Sequence, residues 1–346
     1  MSALPFVVSV DARGDGGIAR YTRLILAALE GRALLLDLSR TKPLHPLPAW
    51  VRATSTRSRI VHAAKTLRHW RSGDERRWLF THYALTQPLV LGPRRPSSTV
   101  LAHGMEVWSR LPRRRAMGLS RVGRMVFTTH DSRERFRESN PDLAADLDCP
   151  VVPLSAGADW EEMPLAPRST DGRFRILCVT RLTRSEGAKG ISTLLAAMRE
   201  LTDVSLIVVG DGDARAGYER EARVLGVDAR VRWTGWVPET MKRALIEKAD
   251  VVCLPSAQEG FGLSLLEGLV AGRPCVASAA GALPEILTSD VSELAPHGDA
   301  GALAAAIDRV RQRLAAGELT PGSIRSATIA RYGWEAFRAH WTGLLA

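Results

Sequence analysis

Short apolar runs rich in Val, Ile and Leu alternate along the chain with segments whose apolar residues recur every three or four positions. The runs read as buried strands and the periodic segments as amphipathic helices, so their alternation predicts parallel sheets covered by helices on both faces. A first series of strands is expected at 6–10, 33–38, 78–81, 99–103, 125–129 and 151–153. A second is expected at 175–180, 205–209, 230–233, 251–255, 274–277 and 292–295. Between them, residues 161–172 are rich in proline and polar side chains and read as a linker. That sets two domains, 1–168 and 169–331. The closing helical segment 332–346 carries Trp334, Phe337 and Trp341, enough aromatic surface to dock against and complete the first domain.

Composition narrows the class. At 346 residues, 45% apolar and 24% charged, the chain is too long for one ordinary core and too apolar to be disordered. No stretch approaches 18 uncharged apolar residues, and the run 4–10 is too short for a signal peptide and lacks a basic start, so a cytoplasmic protein is expected. The four cysteines, Cys149, Cys178, Cys253 and Cys275, show no Cys-x-x-Cys spacing and read as buried free thiols.

The net charge of +10 is unevenly spread. Residues 1–160 hold 25 Lys and Arg against 14 Asp and Glu, net +11, whereas residues 161–346 hold 22 against 23, net −1. The excess comes mostly from 52–77 and 110–124, and it points to an anionic partner of the first domain: nucleic acid, a membrane surface or a phosphorylated substrate. Within 52–77, Ile60, Val61, Ala64 and Leu67 recur at helical spacing with Trp70 nearby. Such a basic amphipathic helix with an interfacial tryptophan suits an anionic leaflet; a solvated basic face is the plainer alternative. No recognised nucleic-acid module accompanies the arginines, so nucleic acid is not expected as a partner.

Parallel sheets bind ligands beyond the carboxyl ends of their strands, and two in tandem place the chemistry on the loops there. After the strand at 251–255 come Glu259, Gly260, Phe261 and Gly262, then a helix opening at Leu263 and carrying Glu267. A carboxylate, a glycine turn and a helix N-terminus form a place for a phosphate. Alternatively, Glu259 caps the helix and Glu267 is a solvated helix residue. After 175–180, Arg181 and Lys189-Gly190 precede another helix, cations suited to clamping a diphosphate. Gly210-Asp211-Gly212 follows the next strand, with Arg215 where a third glycine of a dinucleotide fingerprint would stand. In the first half, Gly14, Gly16 and Ala19 with Asp37 at the next strand end imitate that fingerprint, although three residues separate Gly14 from its strand. His103 ends a strand in His-Gly-Met-Glu-Val-Trp.

These residues carry a resemblance. Arg181…Lys189-Gly190, Gly210-Asp-Gly, Gly235-Trp236-Val237, Glu259-Gly-Phe-Gly-Leu-Ser-Leu-Leu-Glu267, Ala271-Gly-Arg-Pro274 and Gly281-Ala-Leu-Pro-Glu285 follow one another as in the C-terminal domain of family 4 glycosyltransferases. The match covers roughly 173–330. Gly16-Gly17-Ile-Ala-Arg-Tyr and the His103 string resemble the N-terminal half, the latter a mannosyltransferase-like branch.

The resemblance implies a GT-B fold, two Rossmann-like doubly wound parallel-sheet domains facing a cleft, and a retaining hexosyl transfer from a nucleoside-diphosphate sugar, GDP-mannose favoured. It implies Glu259 and His103 at the transferring sugar, Arg181 and Lys189 on the diphosphate, and Glu267 on the ribose. Gly16, Gly17, Gly210, Val237, Gly260, Phe261, Gly262 and Leu263 would line the donor. No metal or cofactor is expected, protein cations standing in for a divalent ion. The acceptor is expected to be a saccharide or a polyprenyl-pyrophosphate-linked one, with the protein peripheral on the inner face of the membrane. The rival reading is an NAD(P)-dependent oxidoreductase using Gly14, Gly16 and Asp37; a basic nucleic-acid binder is the third.

Overall fold

The computed structural model describes residues 4–30, 33–72, 76–168, 172–184 and 189–345. Part of the expected linker (169–171) and the middle of the Arg181–Lys189 loop (185–188) lie outside the described residues. The chain divides into two units, one of residues 1–155 with 335–346, the other of residues 156–334.

In the first unit, β1 (Phe6–Val10), β2 (Leu34–Leu38), β3 (Arg52–Thr56), β4 (Trp78–Phe80), β5 (Arg95–Leu101) and β6 (Val122–Val126) form one sheet in the order β3-β2-β1-β4-β5-β6. Every pairing in it is parallel. The strand order reverses between β1 and β4, which makes the carboxyl ends of those two strands the place for a ligand. Phe6, Val8, Leu36, Trp78, Phe80, Val100 and Phe127 pack the core beneath.

Three expectations are corrected here. β3 has the sequence Arg-Ala-Thr-Ser-Thr, four of its five residues exposed, and so lacks the alternation that reveals a half-buried strand; its pairing with β2 alone defines it. Residues 151–153 form no strand, only a single bridge from Val151 to Phe127. The helix Arg59–Arg71 buries His62, Thr66 and Trp70 and leaves Ile60 82% exposed, so its inward face is not the one its apolar spacing implies. Trp70 is not interfacial: it is fully buried and its Nε1 donates to the Pro93 carbonyl at 2.9 Å. The closing helix Trp334–Leu345 buries Phe337, Trp341 and Leu345, and Tyr21 meets the Phe337 and Trp341 rings at 6.1 and 6.0 Å.

The second unit repeats the plan. β7 (Phe174–Val179), β8 (Val204–Val209), β9 (Val231–Gly235), β10 (Val251–Leu254), β11 (Cys275–Ser278) and β12 (Ser292–Ala295) are ordered β12-β11-β10-β7-β8-β9, all parallel. Its reversal falls between β7 and β10. Residues 156–168, expected in the first domain, are tied to this unit by buried polar staples. Arg168 Nε bonds the buried Asp250 carboxylate at 3.0 Å, Arg273 donates to the Ala166 carbonyl at 2.7 Å, and Arg325 donates to the Met163 carbonyl at 2.6 Å. A proline-rich stretch gives no sign of such anchoring because the partners lie some 80 to 160 positions away.

All four cysteines are buried and unbridged; Cys178, Cys253 and Cys275 sit on the adjacent strands β7, β10 and β11. Among the described residues, no helix is long and apolar enough to cross a membrane.

Candidate functional site

The loops following β7 and β10 meet where the second sheet reverses. Gly190, at φ +71°, ends the first loop; a Cβ there would lie 1.9 Å from the Pro255 carbonyl oxygen, so only glycine lets the two backbones touch. This contact brings Lys189 to Glu259: Nζ to Oε1 is 3.0 Å, with the side chains 12% and 17% exposed. Beneath them, burial pushes the Cys178 thiol up to about 12, the Glu259 charge adding to the shift and Lys189 opposing it. Thiol chemistry at neutral pH is therefore closed to Cys178.

Glu259 leads into the helix Leu263–Val270, whose N-cap Gly262 is left-handed at φ +82° and supplies no side-chain cap. Its first N–H groups have no acceptor within the helix and carry the positive end of the helix dipole. Phe261 is buried edge-on against Tyr332, ring centroids 5.8 Å apart, so it offers a ligand backbone rather than ring. Gly260 and Leu263 are half-buried. The turn after β11 closes on the same place, the Ala282 N–H donating to the Glu259 carbonyl at 3.3 Å.

Other expected residues fall differently. Arg181 stands exposed on the β7 loop. Glu267 is only 1% exposed, and its Oε1 accepts from Lys242 at 2.9 Å. Lys242 also bonds Glu239 at 3.0 Å; no motif marked this lysine, whose role comes from a helix that only the fold brings alongside. The Gly210 N–H is spent on the Gly235 carbonyl at 2.9 Å, and a Cβ on Gly210 would lie 1.9 Å from the Thr180 carbonyl oxygen. Close packing of the β7 and β8 loops thus accounts for that glycine without a ligand. Asp211 and Asp213 are likewise engaged, with Arg215 and with the Arg184 N–H. Val237 is half-buried beyond the end of β9. Within Ala-Gly-Arg-Pro, Arg273 is a buried staple, donating to the Ala166 and Glu247 carbonyls.

In the first unit, Gly16 and Gly17 are exposed at the start of the helix Gly17–Ala28, which follows β1 at that sheet's reversal. Gly16 has φ +103°, and neither glycine has an atom within 4 Å of where a Cβ would stand, so the N-terminus is open. Gly14 instead turns back on Asp11, its N–H donating to that carbonyl at 2.7 Å. Asp37 is buried and bonded within its turn: it accepts from Ser9 Oγ at 2.5 Å, the Ala12 N–H at 3.0 Å and Ser39 Oγ at 2.8 Å. A buried carboxylate bonded by three groups of its own turn is not presented to a ribose, which counts against the oxidoreductase reading. His103 bonds the Thr81 carbonyl through Nε2 at 2.6 Å, and its own N–H goes to Glu106 at 2.6 Å. Burial lowers its pKa against the opposing pull of Glu106, so it is a neutral imidazole with Nδ1 as acceptor.

Comparison with known proteins bears on this geometry. Residues 173–313 match the family model for glycosyl transferases group 1. The chain is 31% identical over 180 residues to an uncharacterized glycosyltransferase of Methanocaldococcus jannaschii, 51% of this chain and 46% of that protein. It is 30% identical over 270 residues to a GDP-mannose-dependent alpha-(1-6)-phosphatidylinositol monomannoside mannosyltransferase of Mycobacterium tuberculosis, covering 71% and 66% of the two chains. The chain thus spans less than half the length of the first relative. Sucrose-phosphate synthase from Thermosynechococcus elongatus superposes with a TM-score of 0.75 at 21% identity, covering 98% of each chain.

Proposed function

Since residues 173–313 are a glycosyl transferases group 1 domain and the chain has the GT-B fold, we propose that the protein transfers a hexosyl group from a nucleoside-diphosphate sugar, with retention of configuration. The Lys189–Glu259 pair at the reversal of the second sheet carries this reading. Bound donor diphosphate competes for Lys189 and draws it off Glu259, freeing that carboxylate for the sugar hydroxyls. Lys189, Arg181 and the helix N-terminus at Gly262 then hold the charge that develops as the diphosphate leaves, a fixed electrostatic environment that needs no divalent ion. The acceptor hydroxyl attacks from the face the diphosphate leaves, and its proton passes to the departing phosphate. Glu267, oriented by Lys242, is the ribose partner on the strength of the resemblance.

Mannose from GDP-mannose is the favoured donor, supported by the GDP-mannose-dependent relative. The first unit, with its surplus of arginine, takes the acceptor; Ile60 and Val61, exposed among Arg57, Arg59 and Arg68, suit an anionic membrane surface there. Turnover of K189A and E259A on a panel of nucleotide sugars tests the assignment. Each substitution is expected to cut transfer by about a hundredfold or more while leaving the unfolding transition in place. Wild-type turnover in both removes the site, and protection against unfolding by UDP but not GDP removes the donor preference.

A further inference from the structure

We propose that the first unit contains an anion-binding pocket built for an organic phosphate, the charged group of the acceptor. This deepens the reading of that unit as the acceptor side and rests on it. A cavity of about 550 Å³ opens at the carboxyl ends of β1 and β2 and beside the turn after β4, lined at those places by Val10, Leu38 and His82. That is the reversal of the first sheet, where a doubly wound sheet binds its ligand.

The chemistry of the wall is one-sided. Arg40, Arg59, Arg115, His62 and His82 line the cavity, and among the described residues no carboxylate does. The nearby acids make their hydrogen bonds outside the cavity wall: Asp37 with Ser9, Ala12 and Ser39, Asp11 with the Arg40 and Thr41 N–H groups, Glu106 with the His103 N–H. Among the described residues, the guanidinium groups of Arg40 and Arg59 make no hydrogen bond or ion pair. Arg115 is aimed by Tyr83, whose hydroxyl it bonds and whose ring it overlies at 5.3 Å. His82 Nδ1 accepts the Ala84 N–H at 3.1 Å, which makes its Nε2 a donor. Two helix N-termini, those of Gly17–Ala28 and Arg59–Arg71, also reach the cavity through Ile18 and Arg59, adding positive potential. Three guanidinium forks on one wall are a receptor for phosphate oxygens, the charges of Asp37 and Glu106 being felt at His62 and His82. Ile18, Ala63, Leu85 and Pro88 give the rest of the wall an apolar surface for the group that bears the phosphate.

Calorimetric titration of the full chain with hexyl phosphate, glucose 1-phosphate and the uncharged hexyl glucoside tests this. Either phosphate is expected to bind at least tenfold more tightly than the glucoside, and whichever binds better identifies a lipid-like or a sugar phosphate. R59Q and R40Q, changes at exposed side chains, should each weaken that binding about tenfold, while GDP protection of the second unit stays as in wild type. Phosphate affinity unchanged in both variants, or equal to that of the glucoside, overturns the pocket. Loss of GDP protection in wild type with arginine-dependent phosphate binding retained would instead count against the donor reading alone.

Discussion

Replacing Gly190 by alanine tests whether the Lys189–Glu259 pair depends on backbone contact between its two loops. The substitution does two separable things. It places a side chain at φ +71°, which costs roughly 1–2 kcal/mol for an L-residue. It also sets a Cβ 1.9 Å from the Pro255 carbonyl oxygen, where real Cβ contacts stay beyond 3.0 Å, so the loops must part by about 1 Å. Such overpacking costs about 1–3 kcal/mol. Gly226 supplies the control: it ends a helix of the same unit at φ +68°, and nothing lies within 4 Å of a Cβ built there. G226A should therefore lose only the conformational part, and the difference between the variants, about 1–3 kcal/mol, isolates the contact. Urea unfolding gives the stabilities, with hydrogen exchange at β7 and β10 amides assigning the loss to the second unit. Nucleotide protection should fall in G190A and persist in G226A. Equal destabilisation and equal protection in the two would refute the idea that this close approach sets the geometry of the pair.

Two further outcomes follow from buried groups in the first unit. D37A strands the Ala12 N–H and the Ser9 hydroxyl in the core, loses the half-buried Ser39 bond as well, and should destabilise the unit by about 3 kcal/mol in urea titration, without weakening nucleotide affinity. A loss of NAD(P) or nucleotide binding at unchanged stability would restore Asp37 as a ligand residue. Burial lowers the His82 pKa to about 4, below the unfolded value near 6.5, so its contribution to stability is complete above pH 6.5 and declines as pH falls towards 4. H82Q should have a flatter melting-temperature profile than wild type between pH 7.5 and 4.5, and an unchanged slope would contradict the assignment.

How much the sequence discloses depends on the range of the interaction concerned. A buried strand such as Phe6–Val10 is visible at its observed limits because it is a local, mostly apolar run. β3 is invisible because its edge position satisfies it with backbone bonds to β2 and asks nothing of its side chains. The Glu259 turn and Lys189 are legible as motifs, and their 3.0 Å meeting follows once β7 and β10 are neighbours. Lys242, by contrast, reaches Glu267 from another helix, and Asp37 is claimed by three groups that no spacing rule joins to it. Gly210 shows the converse error. A glycine in a Gly-x-Gly string invites a ligand, yet here it answers to the carbonyl of Thr180.

The placement of the thiols has a practical use. Cys149 lies buried in the first unit, and Cys178, Cys253 and Cys275 lie on three neighbouring strands in the middle of the second. With burial raising the pKa of all four, modification by an alkylating reagent must wait for the surrounding structure to open. Peptide-resolved alkylation therefore gives each unit its own clock, distinguishing a bound molecule that tightens one sheet from one that tightens the other without any engineered label.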